Sequence, residues 1–211
     1  MKKFLICLFG VLFITGAYAN TDAVRVFVGG NFSVTDAVWT DEGKQNAQDI
    51  FGTKDMPKFH AGIGGVIGAR YATRDIYNVG ASLSYDYMLN SKKELNVATG
   101  YYNYSTGFSA IGLTFDNYIR LFKQTYKENR RGDLLFGIGP ARVTARAKAD
   151  TIIGKVSSDD YDYGMVIKLG YNGQIDQDWD WFVHARWFFV PGNDNDVNSL
   201  LNLSVGVTYN F

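Results

Sequence analysis

Cysteine is nearly missing from this sequence: of 211 residues only Cys7 is one, and prolines number three. Cys7 lies in MKKFLICLFGVLFITGAYAN, where two lysines, an apolar run from Phe4 to Ile14 and the small residues of Ala17-Tyr18-Ala19 have the layout of a secretory signal peptide. Cleavage is expected after Ala19, giving residues 1–19 as leader and 20–211 as one domain. Ile6 before Cys7 is not a small residue, which disfavours lipid attachment there. The mature chain then has no cysteine, and neither disulfides nor thiol chemistry hold it together. Net charge is missing too: loss of Lys2 and Lys3 leaves 21 − 2 = 19 basic residues against 21 acidic ones. Such a balance gives no electrostatic ground for binding nucleic acid. No apolar run of about 18 residues follows the leader, so helical membrane spans are excluded.

What is there is alternation. A strand sends successive side chains to opposite faces, and period two recurs in segments of about ten residues, the length a tilted membrane strand needs. The C-terminus LNLSVGVTYNF puts Leu201, Leu203, Val205, Val207, Tyr209 and Phe211 on one face. The same pattern runs from Val24 to Val34, Phe59 to Tyr71, Tyr77 to Leu89, about Tyr102 to Phe122, Tyr161 to Tyr171 and Trp179 to Phe189. LLFGIGPARVTARAK, from Leu134, changes phase near Pro140, and a bulge is expected there because proline cannot donate to a ladder. An even count of strands, with connections alternating between long and short, predicts an all-β fold: an eight-stranded antiparallel up-and-down transmembrane β-barrel with both chain ends in the periplasm. Pairing 71 with 79 sets Ile67 opposite Leu83 and Ile63 opposite Tyr87. Pairing 171 with 179 sets Leu169 opposite Trp181 and Ile167 opposite Val183. Both registers keep apolar residues on one face.

A soluble barrel turns its apolar face inward and a membrane barrel turns it outward. Aromatics decide between them. Tyr71, Tyr77, Tyr171, Trp179, Trp181, Tyr209 and Phe211 gather at the turn end, and Phe59, Tyr85, Tyr87, Tyr161, Tyr163 and Phe189 at the loop end. Two such girdles around an aliphatic band match the two interfaces of a membrane. The opposite face mixes glycines with Arg25, Arg70, Asp86, Arg120, Asp162, Lys168, His184 and Arg186, which suits a narrow, filled lumen. The second register makes Asp162 and Arg186 diagonal neighbours, and a salt-bridged plug is favoured over an ion pathway.

With Val205, Val207, Tyr209 and a terminal Phe211, the last strand resembles the assembly signal of bacterial outer-membrane barrels. The chain after its leader resembles the small eight-stranded class that includes OmpA-like membrane domains and opacity-like surface proteins. That resemblance implies residence in the outer membrane among lipid and lipopolysaccharide, recognition of those four residues by the barrel assembly machinery, and a monomer. Nothing follows Phe211, so the peptidoglycan-binding domain of full-length OmpA-type proteins is expected to be absent.

Chemistry-bearing motifs are sparse. GIGGVIG at 62–68 misses GxGxxG and sits mid-strand, so no nucleotide cofactor is expected. His60 and His184 have no second ligand at metal spacing, and NDND at 193–196 lacks the glycine of a calcium loop, so no metal is expected. KQTYKENRR at 123–131 reads as a basic periplasmic turn. No motif fixes a serine near a histidine and an acid, which speaks against an enzyme of the lipid-modifying kind. A non-enzymatic barrel that stabilises the envelope or offers loops 35–57 and 90–101 to an extracellular partner is expected, with a narrow pore as the alternative.

Overall fold

The structure, a computed structural model, describes residues 24–51, 53–71, 76–94, 101–121, 132–151, 154–191 and 196–211. The leader expected at 1–19, the basic turn at 123–131 and residues 193–195 of the acidic loop lie outside the described residues. Eight strands follow in order: β1 (Val24–Trp39), β2 (Phe59–Tyr71), β3 (Tyr77–Glu94), β4 (Tyr101–Arg120), β5 (Gly132–Thr151), β6 (Gly154–Gln174), β7 (Trp179–Phe189) and β8 (Val197–Asn210). Each pairs antiparallel with its sequence neighbour, and β8 returns to β1, closing the barrel.

Closure orients the alternating pattern. Phe32 and Phe211, from the apolar set, are 73% and 74% exposed on the outside. Phe108, Phe188 and Leu200 are fully buried within. Around the β2–β3 turn the register is Tyr71 with Val79, Ile67 with Leu83 and Ile63 with Tyr87, as alternation and a tight turn require.

Strands run further than the alternation showed, β3 to Glu94 into the expected loop 90–101 and β6 from Gly154, and three further details differ from the sequence expectation. In the β6–β7 hairpin Tyr171 pairs with Val183, Leu169 with Ala185 and Ile167 with Trp187. The slip is by an even number, so the same faces are kept and alternation cannot detect it. Its physical cause lies at the turn. Asp176 accepts hydrogen bonds from the backbone N–H of Asp178 and Trp179, at 2.9 and 2.8 Å, which tightens the connection to 175–178. Trp181 then faces Gly173, where a Cβ would stand 2.3 Å from the indole nitrogen. The bare glycine gives the indole its seat.

Pro140 makes no bulge: β5 keeps one register along β6 from Gly132 opposite Gly173 to Thr151 opposite Gly154. The proline faces outward, and the inward series Leu135, Ala141 and Val143 continues past it without a change of phase. The ladder shifts instead between Met88 and Ser91 of β3. Finally, β1 runs on to Trp39, and the connection after it holds a helix, α1 (Asp41–Phe51), where sequence alternation suggested only loop from 35 to 57. Thr40 caps it, its hydroxyl accepting from the Gly43 N–H at 2.9 Å, and Asp41 and Glu42 oppose the dipole of the first turn.

Candidate functional site

The lumen is filled in two layers. Toward the chain termini it is ionic. Arg186 grips Asp86 through two hydrogen bonds, 2.5 and 2.8 Å, and gives a third to the Ser204 hydroxyl. Lys168 donates to Asp116 and to Ser82, both at 2.7 Å. Nearer the turns, Arg70 donates to Asp180 at 2.8 Å and to Asn210 at 3.1 Å, and it lies 3.9 Å from Asp133, which Arg120 approaches at 3.7 Å. All these charges come from inward positions, and the pairs reach across the lumen, β7 to β3, β6 to β4 and β2 to β7. Arg70, Arg120, Lys168 and Arg186 are balanced by Asp86, Asp116, Asp133 and Asp180, which is the condition for burying charge without large cost.

Of the residues read from the sequence as a lumen network, Arg70, Asp86, Arg120, Lys168 and Arg186 meet here. His184 lies beside them, with Nε2 at 2.7 Å from the Asn172 side-chain oxygen and its ring stacked on Phe182. Arg25 is half-buried at the rim, opposite Arg70 in the ladder. Asp162 does not join Arg186: it pairs with Val143 of β5, because the observed β6–β7 register sets Lys168 beside Arg186 instead. The acids that do complete the network, Asp116, Asp133 and Asp180, were missed although a signal existed. Asp116 alternates with outward Phe115, and Asp180 sits between outward Trp179 and Trp181, so each had to point inward.

Toward the loop end the lumen turns apolar. Trp39, Met88, Phe108, Phe188, Val166 and Leu200 pack together, and Ala47 of α1 and Met56 close over them. Phe51 adds a ring contact to Tyr104 at 4.2 Å between centroids. His60 is part of this layer, its edge against Phe108 and its Nδ1–H directed to the Leu89 carbonyl at 3.1 Å. Between the layers, Asn202 donates to the Thr35 hydroxyl at 2.9 Å. A lumen cavity lined by Arg70, Lys168 and Phe182, among others, measures about 20 Å³, room for roughly one water. Gly64 shows how little space is spare: a Cβ there would lie 2.4 Å from Asp86 and 2.8 Å from the Tyr85 carbonyl.

Outside, the girdle residues face away from the barrel. Trp179 packs on Tyr209 and Tyr209 on Phe211, at 5.2 and 5.1 Å between centroids, while Tyr171 leans on Trp181. At the other end Phe59, Tyr85, Tyr161, Tyr163 and Phe189 are exposed and Tyr87 half-covered. The terminal strand offers Val205, Val207, Tyr209 and Phe211 on this outer face, and the Phe211 N–H reaches the Val26 carbonyl at 2.9 Å to finish the seam with β1. Beyond the loop-end girdle, Lys93 of β3 holds Asp55, and the ammonium keeps that carboxyl below the usual carboxylate range. Among the described residues, no three histidine, cysteine or acidic side chains converge as a metal site would need.

No protein-family model matches the chain. No curated protein matches it either. Solved structures do. The attachment invasion locus protein Ail of Yersinia pestis superposes at a TM-score of 0.54 and 11% identity, over 90% of this chain and 99% of that one. The same protein in complex with the heparin analogue sucrose octasulfate gives 0.52 at 13% identity, over 90% and 99%. The outer membrane protein OprG from Pseudomonas aeruginosa gives 0.48 at 11%, over 90% and 97%. Identity this low speaks for the fold alone. A closed antiparallel barrel that wears its apolar side chains outward has one solvent that suits it, and the chain is a small eight-stranded β-barrel of the bacterial outer-membrane type.

Proposed function

We propose that the protein is a non-enzymatic, monomeric outer-membrane barrel, exported with removal of residues 1–19, whose role is contact at the cell surface rather than conduction. The observation that carries this reading is the filled lumen: a balanced ionic layer below, an apolar layer above, and α1 across the outer mouth. A pore needs a wet path, and the buried Phe108, Met88 and Leu200 offer it none. The chain's bulk beyond the membrane is instead spent on α1 and on the long β3–β4 and β5–β6 hairpins. The likeness to Ail, an attachment protein by its name and one crystallised with a heparin analogue, supports an extracellular partner. The outward residues Val205, Val207, Tyr209 and Phe211 are then the segment offered to the barrel assembly machinery.

The test is conductance of the refolded mature protein in a planar bilayer, beside the Arg186→Ala variant, together with adhesion of cells expressing it. Silence from a barrel that migrates as a folded, heat-modifiable species, with adhesion above that of empty cells, is the expected result. Stable openings whose ion selectivity changes in the variant overturn it in favour of the pore.

A further inference from the structure

The cover over the outer mouth rests on a histidine. Segment 53–58 leads from α1 into β2 and carries Met56 and Pro57, both buried, at the apolar layer. Two bonds tie it to β1: Trp39 donates its indole N–H to the Pro57 carbonyl at 2.9 Å, and the Ala37 N–H donates to the Lys58 carbonyl at 2.8 Å. A third tie lies outside, where Lys93 holds Asp55. Two residues further on, His60 is 1% exposed, opposite Thr35 in the ladder and perpendicular to the Phe108 ring at 5.0 Å between centroids. Its Nδ1 has the Leu89 carbonyl as partner, whereas Nε2, buried as well, has none among the described residues.

A neutral imidazole tolerates this arrangement, because Nδ1 carries the hydrogen and only a lone pair at Nε2 goes unmet. A proton on Nε2 makes a buried cation instead, and its surroundings do not balance one. Arg146 of β5 holds the carbonyls of Met88 and Phe108, so the charge that the wall brings to this level is itself positive. On β3, Asp86 is taken by Arg186, and Lys92 and Lys93 stand above. The acid of β1 is Asp36, half-exposed at an outward position. Asp41, Glu42, Lys44 and Asp49 of α1, and Lys54, Asp55 and Lys58 of the segment, are not buried. Phe108 of β4 and Asn202 of β8 carry no charge. The Pro57 carbonyl lies beside the ring, but Trp39 already occupies it.

We infer that His60 is an acid-sensitive latch: once protonated it leaves its place beneath Met56 and Pro57, the cover lifts with α1, and the apolar layer of Met88, Phe108 and Leu200 opens outward. The neutral ring is the form that the closed cover accepts. Docking is therefore complete above about pH 6.5, the ordinary value of an exposed imidazole, and is lost as pH falls below it, by up to about tenfold per unit. The Lys93 tie does not share this window, since the ammonium holds the Asp55 carboxyl below the usual carboxylate range. In neutral medium the mouth shows the polar side of α1; in acid it shows the underside with Ala47 and Phe51. The latch is independent of whether the outer loops contact another cell.

The experiment is hydrogen exchange of the mature protein in phosphatidylcholine nanodiscs at about pH 7.5 and about pH 5, on either side of the imidazole range. Protection of the Ala37 amide and of amides in 41–51 is divided by the intrinsic exchange rate at each pH, with amides of β7 as the reference for the barrel. The chain holds two histidines, so His60→Phe, which keeps a ring without a titrating nitrogen, is compared with His184→Gln. If His60→Phe does not refold, His60→Gln takes its place. The expected result is a fall in protection of about tenfold or more at the lower pH in the wild type and in His184→Gln, none in the His60 variant, and steady protection in β7. Equal wild-type protection at the two pH values overturns the latch, as does an equal fall in the His60 variant or a response that disappears with His184. A parallel loss in β7 overturns it too, since acid would then loosen the whole barrel rather than its cover.

Discussion

Asp86 and Arg186 show what a single residue decides in a lumen this narrow. Each is nearly inaccessible, and each satisfies the other by two hydrogen bonds. Removing one partner leaves the other charge buried alone, at a cost of about 3–5 kcal/mol, while an apolar pair of similar volume is near neutral. Asp86→Ala is therefore expected to lose about 3–5 kcal/mol in urea unfolding from micelles, and Asp86→Leu combined with Arg186→Met to recover most of it. A single variant within about 1 kcal/mol of wild type would mean that water solvates the Arg186 guanidinium once the carboxylate is gone. At this scale the sequence was half legible. Parity told which charges point inward, yet Asp162 was placed beside Arg186 because parity is blind to a slip by an even number. What breaks that degeneracy is the seat of Trp181 on Gly173 and the Asp176 turn, neither of which alternation records. Charge balance would have found Asp116, Asp133 and Asp180, since the inward cations needed carboxylates at inward positions.

Among the elements, α1 is the one that period-two reading passed over. Its sequence DEGKQNAQDIF is largely polar, and among its described side chains Ala47 and Phe51, one turn apart on a single face, make the apolar contacts. The cap was visible: Thr40 followed by Asp41 and Glu42 is a helix start. What could not be seen is where that face docks, because the apolar lumen layer beneath it is assembled from β1 and from β3 through β8 together. Asn46 donates to the Asp196 side chain at 3.0 Å, which ties the helix to the last connection as well. Ala47→Asp would bury a carboxylate in the apolar layer, so undocking of α1 is the cheaper outcome. Hydrogen exchange should then show amide protection over 41–51 falling by about tenfold or more, with the barrel still heat-modifiable on gels. Conductance should stay absent, because the ionic layer beneath does not depend on the helix. Openings in this variant would instead identify α1 as the gate of a pore.

The whole molecule is lopsided. β7 has 11 residues and β2 has 13, close to the 9–11 or so that cross a bilayer, whereas β4 and β5 have 20 each and β6 has 21. The excess raises one side of the barrel into a wall of roughly 20 Å at about 3.3 Å per residue with strand tilt. Every backbone group inside the lipid must be paired, but above it water can serve, so this wall is not needed to close the barrel. The unbroken β5–β6 register allows a clean cut. Arg146 and Asp159 are ladder partners, and replacing 147–158 by Asn-Gly joins them through a two-residue turn that suits antiparallel strands. The shortened protein is expected to refold, remain heat-modifiable and unfold within about 1 kcal/mol of the full chain, since most of the described residues removed, Lys148 and 154–158, are exposed. Adhesion should fall with the wall if it is the working surface. Adhesion that survives the cut would place the partner's contact on α1 and the loop that carries it. A barrel that no longer folds would show that the wall takes part in assembly, against the division into a closed membrane scaffold and a dispensable outer rim.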